Sequence, residues 1–362
     1  MTMRRPVEVS EGPRAAFPAW SGPAERLRFL LRHAILAPSR HNTQPWLFEI
    51  EGSELRVLGD WRRALRVADP QGRELAMACG AAAFNVEIAA LHHGHATSVE
   101  VMDGSRKDGL LARLTLEERR APTPEDEQLY EAIGKRRTNR LAFDPRDVPY
   151  GVVTAIVREA AREDAVLRLV DRTLRPAVAE LVAEGDRVQW ASARYRAELA
   201  TWTRTNRPGE VDGMPGYSQG FSDSASLLHR MLVRLRTGTS ADERRSRHYA
   251  MHTRALFALC TASDRPSDWF RVGRIMQRLL LRATAHGLSA SYFSQAVEVP
   301  SVRLRLREAI GERGWPQLLF RLGYGREVRP TPRRPVDLVL RSMSSSAPEH
   351  GIVPKGYAGA SS

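Results

Sequence analysis

Three stretches of this 362-residue sequence gather side chains able to hold a ligand. In KRRTNR, Lys135, Arg136, Arg137 and Arg140 set four cations around Thr138 and Asn139. Guanidinium forks bind two oxygens at once and the threonine hydroxyl adds a neutral donor, a mixture suited to a phosphate. The same cations could instead offset the negative end of a preceding helix. In RPTPRRPVDLVL, Arg333 and Arg334 sit between prolines that fix the backbone, which suits a preorganised phosphate grip or a solvated surface equally well. In APSRHNTQPW, the run Ser39, Arg40, His41, Asn42, Thr43, Gln44 is pinned between Pro38 and Pro45. A plain connection seldom needs so many consecutive hydrogen-bonding side chains, so this is a candidate ligand loop.

Other reactive groups lack companions. Cys79 and Cys260 lie inside apolar-periodic segments with no second cysteine nearby, which reads as two buried structural thiols. His92, His93 and His95 of LHHGH have no carboxylate or cysteine cluster beside them and fall where a helix dipole favours them, so no metal site is expected. GYG at 323–325 lacks the strand, spacing and helix of a dinucleotide fingerprint, and there is no Walker loop or Ser-His-Asp elbow. A net charge of +13 raises nucleic acid as a partner. However, only Lys107, Lys135 and Lys355 occur among the 55 basic residues, and the arginines are scattered over every kind of segment. No nucleic-acid-binding signature accompanies them, and a phosphate-bearing small molecule would use a few of them.

The elements that must position these groups follow from periodicity. Leu27, Leu30, Leu31, Ala34 and Ile35 mark one face of a helix that must stop at Pro38. WLFEI and ELRVLGD read as strands, Gly72 to His93 as a long helix stopped by Gly94, and TSVEVM as a strand. LEERRAPTPEDEQ reads as a connector, placing a boundary near 115–125. Beyond it come a short helix from Glu125 to Lys135, a helix from Val152 to Ala161 and a strand AVLRLV. A single long helical stretch from Arg172 to Trp202 leads into an irregular, exposed segment, TNRPGEVDGMPGYSQGFSDS. RALFALCTA, SASYF and PQLLFRL are further strands, separated by helices from Ser267 to His286 and from Ser301 to Ile310. The Ser/Gly/Ala-rich last residues, 341–362, are expected to be disordered.

A hydrophobic share of 42% and a charged share of 27% are those of an ordinary globular protein, with length enough for two compact units. No uncharged apolar run is long enough to span a bilayer, and the first twenty residues lack a secretory apolar core, so a cytoplasmic protein is expected. The two halves also read as copies. Their long helices both end in Ala-x-x-His-Gly, at Ala90 to Gly94 and Ala283 to Gly287, and run straight into a strand. LLRHA and IVREA align the earlier helices, and the extra chain of the second copy then falls around 172–250, raw material for a lid with DGMPGYSQGF, 212–221, at its tip.

In this order, APSRHNTQPW, RRTNR, SDWFRVGRIMQRLLLRATAHGLSASYFSQ and PQLLFRLGYG followed by TPRRPV resemble the nitroreductase-like FMN flavoproteins, and within them the tandem-repeat Acg-like group, over about residues 24–340. The resemblance implies an α+β, tandem duplicated nitroreductase fold, a pseudo-dimer in one chain with central mixed sheets flanked by helices and a lid insertion in the second half. It divides the chain into an extension (1–20), a first half (21–120), a second half (121–340) with the lid, and the tail. In the ordinary family each subunit carries both a basic motif and a polar P-S-x-x-N-x-Q-P-W loop, and two subunits build two sites. Here the first half holds only the loop and the second only RRTNR, which leaves one complete FMN site per chain.

By the same resemblance, Arg136 and Thr138 hold the FMN phosphate and ribityl chain with Arg137 beside them, and Arg140 lies toward the pyrimidine edge. Arg333 and Arg334 complete the phosphate grip. Ser39, Arg40 and Asn42 approach the ring, Gln44 fixes their loop, and the segment from Ser291 to Gln295 turns backbone N–H groups toward the ring. The family's usual reaction needs no side-chain acid or base. The implied activity is hydride transfer through the flavin from NAD(P)H to a nitro, quinone or other conjugated small molecule. The alternative is a flavin-sequestering protein whose lid covers the cofactor. Neither nucleic acid nor a membrane is an expected partner, and the fused halves permit a monomer or a homodimer.

Overall fold

The structure, a computed structural model, describes residues 16–103, 109–161, 165–235 and 240–342. The expected disordered tail beyond residue 342, and the extension before residue 16, lie outside the described residues. Pro23 opens α1 (Pro23–Ala34), and Leu27, Leu30, Leu31 and Ala34 bury its inner face completely. Two turn bonds, Leu36 N to His33 O and Ala37 N to Ala34 O, unwind the chain ahead of Pro38 and aim it into the polar loop.

From that loop run β1 (Trp46–Glu51) and β2 (Glu54–Gly59), an antiparallel hairpin whose turn uses Gly52 at φ +57°. α2 (Arg73–His92), β3 (His95–Val101) and β4 (Leu110–Arg119) complete a four-stranded sheet of order β1-β2-β4-β3. β4 corrects the expected connector. Its charged end points to solvent, but its backbone is paired on both sides, by β2 and by β3, and that pairing rather than side-chain composition makes it a strand. Thr123 and Asp126 cap each other at the start of α3 (Pro124–Lys135).

α4 (Tyr150–Ala161) and β5 (Ala165–Leu169) follow. The expected single helix to Trp202 is broken: Ser192 ends α5 (Arg175–Ala191) and its hydroxyl accepts from Tyr195 N to begin α6 (Ala193–Thr201). The Gly/Pro-rich stretch is less exposed than its composition suggests. Its β7 (Met214–Pro215) pairs with β6 (Thr203–Arg204) just ahead of it, and Gly213 to Gly216 are buried. Two helices that periodicity alone did not reveal, α7 (Asp223–Leu235) and α8 (Ser240–His252), follow. β8 (Ala255–Thr261), α9 (Pro266–Ala285), β9 (Ser289–Tyr292), the short α10 (Gln295–Glu298), α11 (Pro300–Ala309) and β10 (Trp315–Gly323) build a second four-stranded sheet, order β5-β8-β10-β9.

Both sheets therefore run first-second-fourth-third in chain order, with a 20-residue helix between the second and third strands. All main ladders are antiparallel, and parallel bridges at their edges, Phe48 to Leu340 and Thr138 to Ala290, make the sheets mixed. Each bridge carries a segment of the second half into place: Leu340 lies on the first sheet, Thr138 on the second. One apolar core runs from α1 and the first sheet through α2 and α9 to the second sheet. α2 and α9 cross backbone to backbone: a Cβ at Gly80 would strike the Phe270 carbonyl, and one at Gly273 would strike the Met77 carbonyl. By length and composition α2 could cross a membrane, but most of it is buried in this core. Cys79 and Cys260 are free and buried. At the end of α2, His92 pairs with Glu127 and stacks on Tyr130, while His93 stacks on Phe17. Among the described residues no cluster of His, Cys, Asp or Glu is arranged to hold a metal.

Candidate functional site

A cleft opens where the polar loop of the first half meets α2, α9 and the edge of the second sheet. It has two adjoining chambers. The inner one has Met77, Ala78, Met276 and Leu318 as an apolar floor and Ser39, Arg40, His41, Glu74, Tyr292 and Ser294 around it. Arg136, Arg137, Arg140, Arg329 and Arg333 line the outer one together with Thr138, and among the described residues no carboxylate does. Pro38, Ser39, Thr138 and Arg140 belong to both chambers, so a ligand of flat ring and charged tail can run from one into the other.

The loop that divides the chambers is strained. His41, Asn42 and Gln44 take φ of +50°, +55° and +49°, left-handed values that side chains other than glycine adopt at a cost of about 1–3 kcal/mol each. The cost is met by ties to the second half. Asn42 donates to the Gly213 and Pro332 carbonyls and accepts from Arg333 at 3.1 Å. Gln44 donates to Val211 O and accepts from Arg334 N, both at 2.8 Å, and Ser39 Oγ accepts from Gln44 N. Asp212, ion-paired to Arg63 and Arg204, and Tyr217, whose hydroxyl donates to Pro330 O at 2.7 Å, pin the same 211–217 segment across the outer chamber.

The arginines of the outer chamber find neutral partners: Arg137 donates to the Gly134 and Arg136 carbonyls at 2.8 Å, and Arg333 to the Thr331 hydroxyl at 2.6 Å. Arg136, 4% exposed, reaches Leu36 O at 3.4 Å and Thr138 Oγ1 at 3.5 Å, and its Nε hydrogen-bonds nothing. Arg333 spends its fork on the Leu36, Ala37, Thr331 and Pro332 carbonyls and on Asn42, and its Nε too is unpaired. Arg140 faces the Met214 sulfur at 4.0 Å. Burial, and then the neighbouring Arg136 and Arg137, pull the Arg333 guanidinium down to about 9. Burial and Arg40 pull Arg140 to about 10, and burial with Arg137 pulls Arg136 to about 10. Cations crowded together away from water, without an anion, are costly, and an anionic group bound among them would remove much of that cost.

The residues singled out in the sequence divide into two groups. Ser39, Arg40, Asn42, Arg136, Arg137, Thr138, Arg140 and Arg333 line the cleft. Gln44, Ser291, Gln295 and Arg334 do not. Arg334 turns away to the Gln44 and Leu338 carbonyls at 3.0 and 2.7 Å, so it fixes the loop instead of lining the outer chamber. Ser291 is buried in the β9–β10 ladder, and Gln295 packs on Gly185 at the start of α10; their neighbours Tyr292 and Ser294 face the cleft instead. Arg40 does not extend freely over the cleft, because Glu298 takes its Nε at 2.8 Å and its Nη2 at 3.1 Å. Sequence reasoning missed Glu74 and Arg329. Glu74 had a signal: it is an acid at the head of an Ala-rich apolar helix.

The chain has known relatives. It is 31% identical over 322 residues to the "Putative NAD(P)H nitroreductase Rv3131" of Mycobacterium tuberculosis, covering 88% of this chain and 91% of that protein. It is 27% identical over 313 residues to the "Putative NAD(P)H nitroreductase acg" of the same organism, covering 85% and 92%. Among solved structures, the FMN-dependent nitroreductase NfnB of Mycobacterium smegmatis in complex with NADPH aligns with 59% of this chain and 97% of its own at 18% identity and a TM-score of 0.39. No family model matches.

Proposed function

The chain belongs to the nitroreductase family, and on that premise we propose that it is an FMN-binding oxidoreductase which builds one flavin site from two fused halves. The observation that carries the reading is the outer chamber, with five arginines and no carboxylate among its described lining residues. The orphaned Nε groups of Arg136 and Arg333 fit a phosphate monoester, whose oxygens take two donors each. In this reading Arg136 and Arg333 hold the phosphate, with Arg137 and Arg329 at its outer side. Thr138, shared by both chambers, meets the ribityl chain. Arg140 and Ser39 border the ring, which rests on Met77, Ala78 and Met276. When bound, FMN supplies hydride chemistry between NAD(P)H and a nitro, quinone or other conjugated small molecule.

The protein's part is to bind, orient and exclude water. The apolar floor dries the ring's lower face, and Arg140, partly buried under Met214, places a positive charge beside it. Gln44 and Arg334 lock the strained loop, so the ring meets a preformed wall. The matching strand orders of the two sheets, and the reciprocal contacts of Gly80 with Phe270 and Gly273 with Met77, support the view that the halves are copies standing in for two subunits. The fused halves remove the usual need to pair, and a monomer or a homodimer is compatible with this reading.

A second reading, sequestration of FMN, is favoured by the four ties that hold residues 211–217 across the outer chamber. One measurement separates the two. The purified protein is expected to be yellow and to bleach anaerobically on adding NADPH; a yellow protein that stays yellow supports sequestration, and a colourless one with no affinity for FMN sinks both.

A further inference from the structure

Binding FMN leaves unexplained a helix whose apolar side faces outward. α7 buries Ser226 and Val233, while Leu227, Leu228, Met231, Leu232 and Leu235 are 47 to 67% exposed. At about 100° per residue these five fall on one arc of about 140°, and Ser226 and Val233 lie across the helix from it. A helix of a globular protein ordinarily turns such an arc toward its core, and an exposed one marks contact with something else. The orientation is fixed by packing on the opposite side. Val233 joins Tyr195, Leu199, Ala200 and Met214 in a small core. Ser226 Oγ accepts from Asn206 N at 3.1 Å and donates to the Asp223 carbonyl at 2.7 Å.

The charges around the arc have one sign. Arg230 and Arg234 stand exposed along one border of it, and from Ser224 to Leu235 the chain has no acid. Asp223, the one acid of α7, is its first residue, where the helix dipole favours a carboxylate. The whole chain carries +13. An apolar arc bordered by arginines on a cationic protein complements an anionic bilayer: the leucines enter the acyl boundary, and the arginine stems lie beside them with their guanidinium groups at the lipid phosphates. A second copy of the chain fits less well. It would bring +13 against +13, and five side chains are few beside the roughly 20–30 residues a side of a stable interface.

We propose that α7 docks the protein on an anionic membrane surface, lying in the headgroup plane with its leucines in the lipid. A helix that lies on a bilayer needs no spanning run, so the sequence's lack of one, on which no membrane partner was expected, does not bear on it. Nothing in this docking depends on a bound flavin.

Flotation of the purified full chain with vesicles of phosphatidylcholine containing about 30% phosphatidylglycerol tests it. The wild type is expected to float with these vesicles and to bind pure phosphatidylcholine at least about tenfold more weakly. Leu228→Ser with Leu232→Ser keeps every charge and should weaken binding to the anionic vesicles at least about tenfold. Arg230→Gln with Arg234→Gln keeps every leucine and should weaken it about as much. All four side chains are exposed, so both double variants should melt with the wild type, which separates lost docking from lost folding. A wild type that stays behind overturns the proposal. So does a leucine variant that floats as well as the wild type, since overall positive charge alone then holds the vesicle, and equal binding to both vesicle types overturns the anionic partner. A dimer seen by light scattering that the leucine variant converts to monomer assigns the arc to a second copy instead.

Discussion

At one end of the cleft Arg40 is met by Glu298 and Glu74; at the other, Arg136, Arg140 and Arg333 meet carbonyls, a methionine sulfur and one another. Residue type is the same and burial is similar, so the difference lies in what balances the charge. At the balanced end the chain itself supplies the countercharge. The unbalanced end is left for something outside the chain to complete, and this is the physical sense in which a cluster of arginines becomes a site.

Breaking the unbalanced end should have the largest effect. Replacing Arg136 and Arg140 together by Ala is expected to weaken FMN binding roughly a thousandfold, because the ligand then forgoes two charge-assisted hydrogen bonds. Because it removes cations that the apoprotein leaves unmatched, the same change should leave the apoprotein's urea midpoint unchanged or higher; a variant that keeps stoichiometric FMN would move the phosphate site elsewhere. Breaking the balanced end should do the reverse. Glu298→Ala leaves Arg40 only the Glu74 carboxyl at 3.7 Å and leaves the Gln189 amide unpaired, and should cost about 3 kcal/mol of stability by urea unfolding.

The smallest expected effect sharpens the comparison from the acid side. Burial, reinforced by Asp242 and opposed by Ser246, lifts the Asp186 carboxyl to about 7. Its folded value lies above its unfolded one, so the folded state holds the proton between about pH 4 and 7 while the unfolded state releases it. Stability therefore falls as pH rises through that window. Asp186→Asn should remove the fall, stabilising the protein at pH 8 on the order of 2 kcal/mol and changing little at pH 4. Thermal melts at both pH values check it; equal effects at both would assign the change to packing.

The amphipathic helices were legible because their periods are local. α1, α2 and α9 follow from apolar spacing, with Pro38 stopping α1 and Gly94 and Gly287 stopping α2 and α9, and the hairpin of β1 and β2 from alternation and a turn. β4 was not legible, because its pairing with strands on both sides cannot be seen in LTLEER itself. The break at Ser192 and the helices α7 and α8 were missed because tertiary packing, not local composition, sets them.

The sequence by itself determined which residues could meet a phosphate, since guanidinium and hydroxyl chemistry is carried by residue type in RRTNR and RPTPRRPV. Only the tertiary structure decided which of them line one chamber. Arg333 and Arg334 are neighbours in the chain, yet a single residue's step turns one into the outer chamber and the other into the Gln44 loop. Glu74 and Glu298 are far apart in sequence and come to share one arginine. Charge balance in a buried site is a sum over neighbours, and neighbours are made by folding.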